Sequence, residues 1–247
     1  MIIDSLTNQA PYQAILFDLD GTLLHMRERE FVRGLIGGLV SDLSSDPSLH
    51  KPLALALQDS LIKVLQNDGS YTNRQAFIRY YEDLKASTGL CIDIDRTECF
   101  YKTKFAPIVQ NTCGEDPEAT ELVAYIKHLG IPMVVATNPF FPRFATHTRI
   151  RCAGLDPADF LEITTYEHYH YCKPNPAYYR ELFERTGLDP KRCLMVGNNV
   201  DEDMIAETLG CDVFLVLRDL INQHNADITQ FPHGSLADFK TYLQNKQ

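Results

Sequence analysis

Short apolar runs alternate with amphipathic segments along most of the chain, and this alternation limits the fold more than any other feature. We predict strands at residues 14–17, 133–136, 160–165, 193–196 and 213–217. Helical patterns fall at 117–129, 142–152, 176–186, 201–209 and 236–243. Because strands that alternate with helices form a parallel sheet covered on both faces, the sequence predicts an α/β fold with a doubly wound, Rossmann-like sheet.

The alternation is interrupted between residues 25 and 111, where the sequence has no strand pattern. Apolar residues recur there at helical spacing around 31–43, 57–65, 72–89 and 96–109. We therefore predict an all-helical domain at 25–111, inserted into a core domain formed by 1–24 and 112–247. Most of its aromatic and leucine side chains are expected to form that domain's own core.

Polar residues stand where several of the predicted strands end. Ligands of open α/β sheets bind beyond the carboxyl ends of the strands, so residues far apart in sequence are expected to meet there. The four clusters are Asp18-Leu-Asp-Gly-Thr, Thr137-Asn138, Lys173 after the third strand, and the acidic loop from Gly197 to Asp203.

The first cluster brings together carboxylates that need a counter-charge. Asp18 and Asp20 are two residues apart, and in a continuing strand they would share a face. Two ionised carboxylates about 5 Å apart repel by roughly 3 kcal/mol at an effective dielectric near 20. Magnesium relieves such repulsion and commonly bridges carboxylates to a substrate phosphate. An Asp can also act as a nucleophile that becomes an aspartyl-phosphate.

These clusters, in this order, resemble the haloacid dehalogenase-like (HAD) hydrolase superfamily over nearly the whole chain. The helical insertion is similar to the α-helical cap of that superfamily. The residues that carry the resemblance are Asp18, Asp20, Gly21 and Thr22 in the DxDGT motif, Thr137 in the second motif, Lys173 in the third, and Gly197 with Asp203 in the fourth.

The resemblance implies a magnesium-dependent phosphatase that cleaves a small phosphomonoester through an aspartyl-phosphate. Asp18 is then the nucleophile, Asp20 is the general acid and base, and Thr137 with Lys173 holds the phosphoryl group. Gly21, Thr22 and Asn138 are the further phosphate-binding candidates. The implied metal ligands are Asp18, Asp20, Asn198 and Asp203.

One position departs from the superfamily pattern. Asn198 stands where the fourth motif usually has an Asp that ligates magnesium directly. An amide oxygen can ligate magnesium but carries no charge, so we expect weaker metal binding unless Asp201, Glu202 or Asp203 compensates. These three acids also suit the start of a helix, and the sequence alone leaves capping and metal support both open.

Three other functions compete with the phosphatase. A phosphomutase of the same fold would use the helical domain to shield the phospho-enzyme from water. A dehalogenase is disfavoured by Asp20, because displacement of a halide needs no acid. A catalytically weak binding protein of the same fold is favoured only by Asn198. His168 and His170 lie two apart without further ligands, which is weak support for a second metal site.

The composition disfavours several classes of binding partner. The net charge of −10 disfavours a nucleic-acid partner. Seven cysteines without a CxxC pair favour a reduced, cytoplasmic protein over a disulfide framework or a zinc site. No apolar stretch approaches the length of a membrane span, and we expect no signal peptide and no membrane partner. We expect a monomer or weak homodimer that acts on a small phosphorylated metabolite.

Overall fold

The computed structural model describes residues 11–246, and the elements below follow one another along that part of the chain. The strands are β1 Ala14–Phe17, β2 His25–Met26, β3 Cys113–Gly114, β4 Met133–Val135, β5 Glu162–Ile163, β6 Cys193–Gly197, β7 Asp212–Val216 and β8 His233–Gly234. The α-helices are α1 Glu28–Leu43, α2 His50–Leu65, α3 Asn73–Thr88, α4 Ile94–Thr103, α5 Phe105–Thr112, α6 Pro117–His128, α7 Arg143–Cys152, α8 Pro176–Thr186 and α9 Leu236–Gln244.

Six strands form one parallel sheet in the order β5-β4-β1-β6-β7-β8. Strand β1 is central and buried on both faces: Ile15 and Phe17 pack into one apolar cluster, and Ala14 and Leu16 pack into the cluster on the other face. The chain extends the sheet through β4 and β5 on one side of β1 and then through β6, β7 and β8 on the other. The predicted fold class is therefore confirmed.

The register brings three strand ends to one edge of the sheet. Phe17 lies opposite Val135 of β4 on one side and opposite Val196 of β6 on the other. The loops that follow these three residues therefore leave the sheet side by side. This edge is the point where the strand order reverses, which is where open α/β sheets bind ligands.

Helices α1 to α5 lie between β1 and α6 in the sequence. The chain enters this helical segment through β2 and leaves it through β3, and the two strands pair antiparallel with His25 opposite Gly114. The segment has its own apolar cluster, which Phe140, Phe141 and Tyr166 from the sheet domain join. The division into a core at 1–24 and 112–247 and a domain at 25–111 remains a prediction, with the β2–β3 ribbon beside both predicted boundaries.

Several elements differ from the sequence predictions. The helix expected over 96–109 is two helices, α4 and α5, separated at Lys104. Pro107 explains the break, because it lacks an N–H and is tolerated only in the first turn of a helix. The helix expected over 201–209 is a shorter 3₁₀ helix, Met204–Leu209. Strand β5 is shorter than predicted, and β2, β3 and β8 were not predicted.

Candidate active site

Asp18 follows β1 directly and is held in the sheet by its backbone N–H, which donates to the Val196 carbonyl at 2.9 Å. The chain then turns at Gly21, whose φ of +83° suits glycine. A Cβ atom at Gly21 would lie 2.4 Å from Nδ2 of Asn198, so a side chain has no room there. The first motif is thus packed directly against the fourth, as the resemblance predicts for neighbouring strand ends.

Lys173 is the central cation of the site. Its side chain is 1% exposed, and Nζ donates to Asp18 Oδ1 at 2.8 Å and to Asp203 Oδ1 at 2.6 Å. Burial opposes the charge on the lysine, but the carboxylates of Asp18 and Asp203 raise the pKa of Lys173 well above its usual value. The lysine therefore stays protonated and neutralises part of the charge of the two acids.

Both carboxylate oxygens of Asp203 accept hydrogen bonds from protein groups. Its side chain is completely buried, and besides Lys173 it accepts a hydrogen bond at Oδ2 from the backbone N–H of Asn199 at 2.9 Å. A Cβ atom at Gly197 would lie 2.1 Å from the same Oδ2, so this glycine makes room for the carboxylate. Both oxygens of Asp203 point to protein donors, so the geometry favours a role as counter-ion of Lys173 over the direct metal ligation expected from the sequence.

Asn198 has a fixed amide orientation. Its Nδ2 donates to the backbone carbonyl of Asp219 at 2.6 Å, and its Oδ1 accepts from the Thr22 hydroxyl at 3.1 Å. The same hydroxyl lies 3.3 Å from Oδ2 of Asp18. Oδ1 of Asn198 and Oδ2 of Asp18 therefore lie close to each other, each within hydrogen-bond distance of the Thr22 hydroxyl. Neighbouring oxygen atoms of this kind are the ligands that a hard cation takes.

The candidate metal ligands carry little negative charge. Within residues 11–246, no three His, Cys, Asp or Glu side chains are grouped so that they could hold a metal ion. Asp18 and Asn198 thus offer one carboxylate and one amide oxygen. This set fits magnesium, which keeps several waters and binds through one or two carboxylates. It does not fit zinc, which takes sulfur and nitrogen ligands.

Asp20 has a partner that the sequence did not reveal. Arg149 on α7 is completely buried and forms an ion pair with Asp20 Oδ2 through Nη1. Its guanidinium also lies over the ring of Phe141, 4.2 Å from the centroid. Oδ1 of Asp20 is buried and has no hydrogen-bond partner. Burial raises the pKa of Asp20, while Arg149 opposes that rise.

The second and third motifs are tied together by Asn138. Its Oδ1 accepts from the backbone N–H of Lys173 at 2.8 Å, and its Nδ2 donates to Glu202 at 2.8 Å. Thr137 is buried, and its carbonyl accepts from the Tyr178 hydroxyl at 3.1 Å. Burial raises the pKa of Glu202 to about 7, with Lys173 opposing. Asn138 therefore joins three loops in addition to any contact with a ligand.

A cavity of about 640 Å³ opens onto these residues. Its floor contains Asp18, Asp20, Thr137 and Asn198 from the strand ends, and its walls come from α1 to α4 and from the loop after β4. The residues predicted for catalysis and phosphate binding are thus gathered at the sheet edge. Lys173 lies beneath the floor, where it reaches the cavity only through Asp18.

Comparisons with known proteins agree with this arrangement. The family described as haloacid dehalogenase-like hydrolase matches residues 12–206. The chain belongs to this family, so the predicted membership in a family of hydrolases is confirmed. A curated phosphoglycolate phosphatase from Rhodospirillum rubrum is 26% identical over an alignment of 212 residues that covers 83% of this chain and 79% of that protein.

Solved structures share the fold at low sequence identity. A HAD phosphatase from Thermococcus onnurineus is 17% identical, with a TM-score of 0.59 and coverage of 93% of this chain and 97% of that one. The HAD hydrolase YfnB from Bacillus subtilis, solved bound to magnesium, is 18% identical, with a TM-score of 0.56 and coverage of 94% and 99%. Within residues 11–246, the chain has no helix both long and apolar enough to cross a membrane.

Proposed function

We propose that the protein is a magnesium-dependent phosphatase that hydrolyses a phosphomonoester through an aspartyl-phosphate on Asp18. The observation that carries the proposal is the buried Lys173, which lies beneath the floor of the cavity and contacts both Asp18 and Asp203. Membership in the hydrolase family and the phosphatases among its relatives support the same activity.

Phosphate binding and nucleophilic attack follow from the floor of the site. Asp18 uses its carboxylate oxygen to attack phosphorus, and the bond from phosphorus to the leaving alcohol oxygen breaks. Thr137 provides a hydroxyl for the phosphoryl oxygens, and Lys173 contributes its positive charge from beneath the floor, through its contact with Asp18. Asp203 holds Lys173 in place by accepting a hydrogen bond from Nζ at 2.6 Å.

Asp20 donates a proton in the first half-reaction and accepts one in the second. Arg149 contacts Oδ2, so Oδ1 is the oxygen available to give a proton to the leaving alcohol. The same oxygen then takes a proton from water, which attacks phosphorus and releases inorganic phosphate and free Asp18. Arg149 thus acts as a positioning residue that holds Oδ2 of Asp20 and leaves Oδ1 without a protein partner.

Magnesium would be held by the Asp18 carboxylate, the Asn198 amide oxygen and the backbone carbonyl of Asp20. When bound, it offsets the negative charge of the phosphate and of the carboxylates. The orientation of Asn198, fixed by Thr22 and the Asp219 carbonyl, supports its part in this set. With a single carboxylate ligand we expect weak magnesium binding.

Phosphate release from p-nitrophenyl phosphate tests the proposal. We expect release that needs magnesium and that falls at least about 1,000-fold in Asp18→Asn. Asp83→Asn makes the same chemical change at an exposed position on α3 and is expected to leave the rate unchanged. The mechanism is contradicted if phosphate release persists in Asp18→Asn, or if neither magnesium nor a chelator changes the rate.

A silent binding protein is the second candidate, and Asn198 is the observation that favours it. Asn198→Asp restores a charged ligand at this position. If the natural chain does not turn over any phosphomonoester and the variant does, binding without catalysis is the function of the natural protein. If both turn over, the phosphatase proposal stands.

A further inference from the structure

The walls of the cavity above Asp18 are largely apolar. Phe31, Leu35, Leu57, Phe77 and Phe141 all line it, on three helices and the loop after β4. Ser60 and Tyr81 also line it, with their hydroxyls 3.3 Å apart. Burial raises the pKa of Tyr81 to about 12, so this phenol is neutral.

The charges around the cavity are of one sign. Among residues 11–246, the charged side chains that line it are all acidic: Asp18, Asp20, Glu28, Glu202 and Asp219. No lysine, arginine or histidine of the described chain is part of the lining. A phosphomonoester that carries a second phosphate or a carboxylate would therefore bring an anion to walls that offer it no counter-charge.

The nearest cations are already committed. Lys173 is buried against Asp18 and Asp203, and Arg149 is buried against Asp20. Nδ1 of His25 is 3.1 Å from the carboxylate of the lining residue Asp219, and Arg218 pairs with Asp116 and lies beside the same Asp219. Recruiting any of these groups to a second anion on the substrate would break an existing ion pair, so the site has one anion-binding region, at Asp18.

The size of the cavity points the same way. Its volume of about 640 Å³ is in the middle of the range found for pockets that bury a whole drug-sized ligand. A phosphate with a two-carbon acid would fill only a small part of it. A large apolar alcohol would fill the walls and gain about threefold to fourfold in binding for each methylene that leaves water.

We infer that the site takes phosphomonoesters of large, uncharged, apolar alcohols and discriminates against esters that carry a second anionic group. The inference rests on the proposed phosphatase function and names its substrate class. It separates this chain from the phosphoglycolate phosphatase that it resembles, whose named substrate has a carboxylate next to the phosphate ester.

A matched pair of substrates tests the inference: hexyl phosphate and the phosphate ester of 6-hydroxyhexanoate, which differ only at the remote end. We expect kcat/KM to favour hexyl phosphate by at least about 30-fold, because an ionised carboxylate would be buried without a partner. We also expect hexyl phosphate to exceed phosphoglycolate by at least the same factor. A ratio near one, or a preference for either carboxylate, overturns the inference.

Two variants connect the preference to the cavity wall. Val32 lines the cavity and is 43% exposed, so Val32→Lys places a cation there without burying it fully. We expect this variant to lower the ratio of kcat/KM for hexyl phosphate over the 6-hydroxyhexanoate ester about fivefold. Ile62 is 50% exposed on α2 outside the lining, and Ile62→Lys is expected to leave the ratio unchanged. An equal effect of both variants contradicts the assignment.

Binding separates this inference from the proposed function. Hexylphosphonate and 6-phosphonohexanoate cannot be hydrolysed, and calorimetric titration of both measures the preference of the cavity without turnover. Tighter binding of hexylphosphonate in a protein that releases no phosphate supports the inference and refutes the phosphatase. Asp18-dependent turnover with tighter binding of 6-phosphonohexanoate refutes the inference and leaves the phosphatase standing.

Discussion

Arg149→Met tests an ion pair of the site in which one partner, Arg149, belongs to none of the four motifs. Arg149 is completely buried, and the substitution removes both its ion pair with Asp20 and its contact with the Phe141 ring. Removing one member of a buried ion pair typically costs about 3–5 kcal/mol. Because the side chain of Asp20 is 31% exposed, water takes over part of the lost interaction, and we expect a loss of about 2–3 kcal/mol.

The effect is measurable by thermal unfolding. For a chain of this size, each kcal/mol shifts the Tm by about 2–4 °C, so the Tm is expected to fall by about 4–12 °C. Arg151→Met is the matched control, because Arg151 is exposed on the same helix, and it is expected to change stability by less than about 0.5 kcal/mol.

A double-mutant cycle with Asp20→Asn isolates the pair. We expect a coupling of more than about 1 kcal/mol between Arg149→Met and Asp20→Asn, since the two residues are in direct contact. Arg149→Met is also expected to slow turnover, because Asp20 loses the group that orients it. Additive effects in the cycle, or a Tm no lower than that of Arg151→Met, would refute the proposed role of Arg149.

Three further predictions concern single residues. Lys173→Met leaves its two carboxylate partners facing each other in a buried site, so we expect a loss of more than about 3 kcal/mol in chemical denaturation; a loss below 1 kcal/mol contradicts this. Asn198→Asp adds a charged ligand and is expected to tighten magnesium about 10-fold in calorimetric titration, whereas unchanged affinity would remove Asn198 from the ligand set. Hydrogen bonds from Tyr166 and Arg74 to Oε1 of Glu98 stabilise its charged form and, against the effect of burial, lower the pKa of Glu98. Glu98→Gln keeps an acceptor oxygen there but removes the charge. Because the folded-state pKa is the lower one, this stability is present above about pH 4.5 and is lost as the pH falls, so the variant should lose about 1 kcal/mol at pH 7 and match wild type near pH 3.

The sheet and the floor of the site were predictable because they depend on local patterns. An apolar run that stops at Asp18 or Thr137 identifies a strand end without any knowledge of packing. The parallel arrangement then brings those ends to one edge. The motif residues Asp18, Thr137 and Asn198 could therefore be placed beside one another from the sequence.

The contacts between motif residues and the rest of the chain could not be predicted. Arg149 reaches Asp20 only because α7 packs beside the first loop, and its sole signal is its place on the apolar face of a predicted helix, next to Ile150. The orientation of the Asn198 amide depends on the carbonyl of Asp219, which belongs to the loop after β7. No spacing rule connects these positions.

The sequence predicts that the residues of the cavity walls are apolar, but it does not predict that they line a cavity. Leu35, Leu57 and Phe77 have the periodicity of residues in the core of a helical domain, and they do join its apolar cluster. They also face the space above Asp18, which depends on how the helical segment is placed over the sheet. The substrate class therefore becomes readable only from the structure.

Trapping the covalent intermediate tests whether Asp18 is the nucleophile. The protein is mixed with a ³²P-labelled phosphomonoester and magnesium, quenched in acid during the first turnover, and digested for mass spectrometry. We expect an acid-stable, base-labile phosphoryl group on the peptide that contains Asp18, and none in Asp18→Asn. Phosphate release without any label on that peptide, or a label on another residue, would contradict Asp18 as the nucleophile.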